Sequence, residues 1–138
     1  YSWDLVDGLG MKIFLLTPFA FSKVAEWSYR EPEYEKRMAF ALMVGVLIRL
    51  KKTPDERIAE FLPIIERESW DDRNFVKKAV NWALRQIGKQ NLNLNQLAIE
   101  SAERIKSQNS KAARWIASDA LRELKSDKIQ ARLLAKGS

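Results

Sequence analysis

Between Asn74 and Lys89 the apolar residues return at helical spacing, so that Val76, Val80, Ala83, Leu84 and Ile87 share one face while Lys78, Trp82, Arg85 and Lys89 share the opposite one. The first stripe is a packing face. The second asks for a reason, because an outward tryptophan among three cations gains nothing over lysine or glutamate unless something docks on it. Cations with an aromatic between them suit a phosphate backbone and its bases. The alternative is a boundary tryptophan with its edge buried, among cations that only keep the surface wet. This helix alone leaves both open.

The same period predicts helices along the rest of the chain. Trp3, Leu5, Val6, Leu9, Ile13 and Phe14 repeat across Gly8 and Gly10, which predicts a helix over residues 2–16. Thr17-Pro18 pairs an N-cap with proline at the first helical position and opens a second helix through about Tyr29. Pro32 opens a third, whose apolar run from Met38 to Leu50 is dense enough to be buried on most sides and ends at Lys51-Lys52. Thr53-Pro54-Asp55-Glu56 repeats the start signal for a fourth helix, faced by Ile58, Phe61, Leu62, Ile64 and Ile65, with a kink at Pro63. Asp71-Asp72 places negative charge at the start of the Asn74 helix, which Gly88 and Asn91 close. Further helices are expected over Asn95–Ser107, Ser110–Leu124 and from Ser126 to about Ala135. No stretch alternates as a strand, so the expected class is all-α, built of antiparallel neighbours.

A repeat sharpens that expectation. Moving by 33 residues takes Lys78 to Lys111, Trp82 to Trp115, Arg85 to Ser118 and Lys89 to Arg122. On the later helix Lys111, Trp115, Ser118 and Arg122 share a face with Arg114 beside it, opposite Ala113, Ile116, Ala117, Ala120 and Leu124. Moving back by 41 brings Arg37 near Lys78. A helix-pair unit at this period is the signature of an α-solenoid of HEAT-like repeats, in which the second helix of each pair lines a concave wall. Residues 1–138 are therefore expected to form a single HEAT-like-repeat domain. Its wall would carry Arg37, Lys78, Trp82, Arg85, Lys111, Trp115 and Arg122, and would suit the outside of a nucleic-acid duplex, reading backbone and shape.

Composition narrows the chemistry. The 138 residues include no cysteine and no histidine, which removes disulfides, thiolate nucleophiles, Ser-His-Asp catalysis and nearly every zinc or haem site. No metal and no cofactor are expected. The net charge of +6 is uneven: residues 1–70 hold 10 basic and 11 acidic groups, residues 71–138 hold 14 and 7. That asymmetry favours a polyanionic partner. With no apolar run of membrane-spanning length and no charged-then-apolar leader, a cytoplasmic protein, monomeric and without a membrane partner, is expected. The chain begins at Tyr1 and its first residues read as mid-protein sequence, so N-terminal repeats are expected to be missing.

Trp3 and Asp7, four residues apart, sit one above the other on the first helix. A carboxylate on a cationic wall repels phosphate and invites a chemical explanation. From spacing alone, a hydrogen bond near a helix end or a pairing with a neighbour such as Arg37 is the simpler explanation.

The segments SWDLVD (Ser2 to Asp7), EYEKRMAFAL (Glu33 to Leu42) and NFVKKAVNWALRQIGK (Asn74 to Lys89), in this order, resemble the AlkD-like DNA alkylation repair family. The run ARWIASDALREL (Ala113 to Leu124) is similar to a branch of it. The resemblance spans nearly all of this chain and the C-terminal portion of a family member. It implies a HEAT-like-repeat glycosylase that removes positively charged N3- and N7-alkylated purines from duplex DNA. It further implies that Asp7 is the catalytic carboxylate, that Trp3 and Trp82 form an aromatic cleft around the damaged nucleotide, and that Arg37 holds the DNA backbone. Lys78, Arg85, Lys89, Lys111, Arg114, Trp115 and Arg122 enter as DNA contacts from the helical wheel and not from the resemblance. Ser2 stands where one family pattern has a second tryptophan. A noncatalytic nucleic-acid-binding solenoid and a scaffold whose groove takes an acidic peptide are the other readings.

Overall fold

The computed structural model describes residues 33–49 and 53–137. Among these the chain is all-helical: α1 (Glu33–Arg49), α2 (Asp55–Ala59), α3 (Phe61–Glu68), α4 (Asn74–Gly88), α5 (Leu92–Lys106), α6 (Lys111–Leu124) and α7 (Asp127–Gly137). The helices expected over residues 2–16 and from Thr17 to about Tyr29, and with them Ser2, Trp3 and Asp7, lie outside the described residues, as do Pro32 and the Lys51-Lys52 stop.

The helices stand in two ranks. α1 packs on α4 and α4 on α6, while α5 lies behind them against α3, α4 and α6, with α7 on α5 and α6. Sequence period decides which face each helix turns inward. On α4, Val76, Val80, Ala83, Leu84 and Ile87 are all fully buried, and on α6 the same holds for Ala113, Ile116, Ala117, Ala120 and Leu124. Each such leucine or isoleucine contributes roughly 1.5–3 kcal/mol over an exposed one. α1 is buried from Met38 to Leu47 on every face, as its unbroken apolar run requires. No helix among the described residues is long and apolar enough to cross a membrane.

Three boundaries differ from expectation. The fourth expected helix is two: α2 stops at Ala59 and α3 starts at Phe61. Pro63 explains the break, because it has no N–H for the Ala59 carbonyl and its ring crowds that oxygen. Asn91 does not close α4. It opens α5 three residues earlier than expected, its side chain accepting the Leu94 amide at 2.8 Å. Asp71 does not cap α4, which begins after Arg73 with no side-chain cap. It turns inward instead, onto Lys36.

Gly88 and Asn95 join the ranks at one end. A Cβ on Gly88 would stand 2.5 Å from Leu124 Cδ2, so glycine lets the last turn of α4 meet the last turn of α6. The buried Asn95 side chain donates from Nδ2 to the carbonyls of Gly88 (2.9 Å) and Leu124 (3.3 Å), and its Oδ1 accepts from Gln130 Nε2 at 3.1 Å. Two helix C-termini, whose carbonyls have no intrahelical donor, are thereby satisfied from a third helix.

Candidate nucleic-acid interface

One side of the α1, α4, α6 rank carries an open groove of about 510 Å³, lined by Arg37 and Ala41 from α1, by Phe75, Lys78, Ala79, Asn81, Trp82 and Arg85 from α4, and by Trp115 and Asp119 from α6. The residues reach one groove because α4 buries its opposite face. Trp82 and Trp115 keep 38% and 40% of their surface open. Phe75 is 55% exposed beside them. Three large aromatics therefore line a surface that also presents cations.

The cations divide by what holds them. Arg85 donates to Asn81 Oδ1 (2.8 Å) and to Glu123 Oε1 (3.2 Å), and stands 3.8 Å from Asp119. Lys89 reaches Glu123 at 3.4 Å, and the exposed Arg122 lies 3.6 Å from Asp119. Burial would push the Glu123 carboxyl up, but hydrogen bonding from Arg85 and the charges of Lys89 and Arg85 outweigh it and hold the group below its ordinary value. Arg37 and Lys77 are held instead on aromatic faces: the Arg37 guanidinium is 4.8 Å from the Phe75 ring centre and the Lys77 ammonium 4.9 Å from that of Trp115. Lys78, Lys111 and Arg114 are exposed. Among the described residues, no carboxylate lies within ion-pair distance of Arg37, Lys77, Lys78, Lys111 or Arg114.

Arg37 is placed by the residue before it. Lys36, 1% exposed, donates to Asp71 Oδ2 at 2.9 Å and pairs with Glu68 Oε1 at 2.8 Å, and its ammonium lies 4.6 Å from the Trp70 ring centre. Arg73 grips the same Asp71 through two nitrogens, at 3.0 and 2.8 Å. Burial alone would lower the Lys36 pKa, but its hydrogen bonds to the Glu68 and Asp71 carboxylates, with their charges, more than offset it and raise it. The cluster ties the first turns of α1 to the start of α4, and so sets Arg37 beside Phe75.

Of the residues expected from sequence, Arg37, Lys78, Trp82, Arg85 and Trp115 meet in the groove. Lys111, Arg114 and Arg122 on α6 and Lys89 just past the end of α4 do not line it. Trp3 and Asp7 lie outside the described residues. Four participants had not been singled out: Phe75, Lys77, Asn81 and Asp119. Two were legible, since Phe75 precedes Lys78 and Trp82 at spacings of three and seven, and Asp119 follows Trp115 by four. Asn81 showed no signal of its own, because its buried bond to the Ile116 carbonyl (3.1 Å) depends on a helix 35 residues away. Among the described residues no cluster of three carboxylates is placed to hold a metal ion.

A family model described as DNA alkylation repair enzyme matches residues 1–124. No curated protein and no solved structure matches significantly.

Proposed function

The chain belongs to the DNA alkylation repair enzyme family, and from that membership we propose that it is a DNA glycosylase releasing positively charged N3- and N7-alkylated purines from duplex DNA. The observation that carries this reading is a groove in which Trp82 stands open beside Arg37 and Lys78, two cations with no carboxylate among the described residues within ion-pair distance, in a chain whose family repairs alkylated DNA. Such a groove suits a duplex approached from its backbone. The fold is read as a HEAT-like α-solenoid. That reading is supported by the two ranks and by side-chain bonds that recur across 34 to 38 residues, as in Lys36 to Asp71, Asn81 to Ile116, Arg85 to Glu123 and Lys89 to Glu123.

The chemistry needs neither histidine nor metal. An alkylated purine already bears a positive charge, so when the N-glycosidic bond breaks the base takes the bonding pair and leaves neutral. The sugar becomes oxocarbenium-like, and water adds at C1′ with loss of a proton. Asp7 is assigned the anion that stabilises the developing sugar cation and steers the water. Trp3 and Trp82 form the aromatic cleft, whose faces favour the cationic base. Arg37 and Lys78 hold phosphates, with Lys111, Arg114 and Trp115 extending the contact along α6.

The test is release of free methylated purine from alkylated duplex DNA by this chain beside Asp7→Asn. We expect release by the first and a loss of about 10²–10³ in rate for the second, the usual effect of removing one preorganised electrostatic group. Equal release by both would remove Asp7 from the mechanism. If neither releases base while both bind duplex DNA, the chain is a binding module.

A further inference from the structure

Moving by 40 residues takes Arg37 to Lys77 and, at the same time, Phe75 to Trp115. The two cation-on-ring pairs of the groove side are therefore one arrangement made twice: a cation from one helix stands over an aromatic ring from the next helix of the rank. We propose that Arg37 on Phe75 and Lys77 on Trp115 are two equivalent phosphate-holding stations that grip one strand of the bound duplex, with the rings serving to position the cations. This rests on the DNA-binding part of the reading above and adds to it Lys77, Phe75 and the pairing itself.

Three observations carry it. First, the ring replaces a carboxylate as the partner that fixes the side chain. A lysine or arginine loses rotamer freedom on binding, and a cation already resting on a ring loses less. Unlike a salt-bridged arginine, it keeps its whole charge available to an incoming anion. Second, the wall contains the contrast. Lys36 also lies on a ring, that of Trp70, but Glu68 and Asp71 close over it and it is buried, so that pair is structural. Arg85, Lys89 and Arg122 face Asp119 or Glu123, and a phosphate would have to displace an acid to reach them. Third, the stations sit on adjacent helices, whose axes pack about 8–10 Å apart, and a strand with a charge every ~3.4 Å of helix axis spans that in two to three nucleotides. Trp82, from the same helix as Phe75 and Lys77, lines the groove together with Arg37, Phe75 and Trp115.

The experiment is binding of an undamaged duplex oligonucleotide by the full chain between about 50 and 200 mM salt, read as the slope of log affinity against log salt. Lys77→Gln should flatten the slope by about 0.9, Arg37→Gln by the same amount, and the double variant by their sum, about 1.8. Trp115→Leu should lose affinity in the wild-type background but little in the Lys77→Gln background, and Trp115→Phe should restore it. A wild-type slope for Lys77→Gln beside a flattened one for Arg37→Gln overturns the second station and leaves the DNA reading standing. An equal loss from Trp115→Leu in both backgrounds overturns the positioning role and makes Trp115 a stacking surface. Salt-independent binding by the unaltered chain overturns both the stations and the DNA reading.

Discussion

Asp71 joins the link between α3 and α4 to α1 through one carboxylate, taking Lys36 from α1 and Arg73 from its own link. Burial would raise its pKa, but the hydrogen bonds from Arg73 and Lys36 outweigh that and lower it from 3.8 to about 2. A depressed carboxyl stabilises the fold above its unfolded value and loses that contribution as pH falls through its folded value. Asp71 should therefore contribute about 2 kcal/mol above pH ~4, lost on acidification towards pH ~2. Lys36 has the opposite sign, its contribution being present below its ordinary value and lost as pH rises through the raised one. In Asp71→Asn we expect the acid dependence to flatten between pH ~4 and ~2. At neutral pH that variant should lose roughly 3–5 kcal/mol, since a buried ammonium is left short of counter-charge. Urea unfolding at several pH values measures both, and an unchanged acid slope would contradict the assignment. Nothing in the sequence marked this cluster: Lys36 stands in a charged run, and its burial follows only once Glu68 at the end of α3 and Asp71 in the link after it arrive from more than 30 residues on.

At the scale of elements, the helices whose apolar residues fall on one face were readable from period alone, and α4 and α6 bury the five positions each was assigned. Boundaries were less so. Asn91 carries signals for ending one helix and for starting the next, and the starting one prevails because its side chain reaches the Leu94 amide. The break between α2 and α3 was legible as Pro63, but its place, one turn earlier, follows from the proline ring meeting the Ala59 carbonyl. Gly88 looked like a helix stop and proves also to be a contact. Gly88→Ala should therefore cost about 1–3 kcal/mol through overpacking against Leu124, despite alanine's better helix propensity. Thermal unfolding reads this directly. A neutral or stabilising outcome would mean that the Leu124 side chain swings aside freely.

For the molecule as a whole, the division of the wall into ion-paired and unpaired cations predicts unequal contributions to DNA binding. Lys78→Gln should flatten the salt slope by about 0.9, whereas Lys89→Gln should change it less, because Glu123 already neutralises that charge. Titrating one duplex against both variants checks the ordering, and equal slopes would show that the acids yield to phosphate. The wheel could place Lys78 and Trp82 on one face, but it could not tell a free cation from a paired one, since Glu123 and Asp119 come from a helix more than 30 residues on. The wall is also fastened at one end by a single amide. Asn95 holds the last carbonyls of α4 and α6 while Gln130, from α7, holds both Asn95 and Leu124. Those helix ends therefore do not fray one at a time: they open together as one cooperative unit, and amide exchange there should follow a single protection energy shared by the four helices α4 to α7.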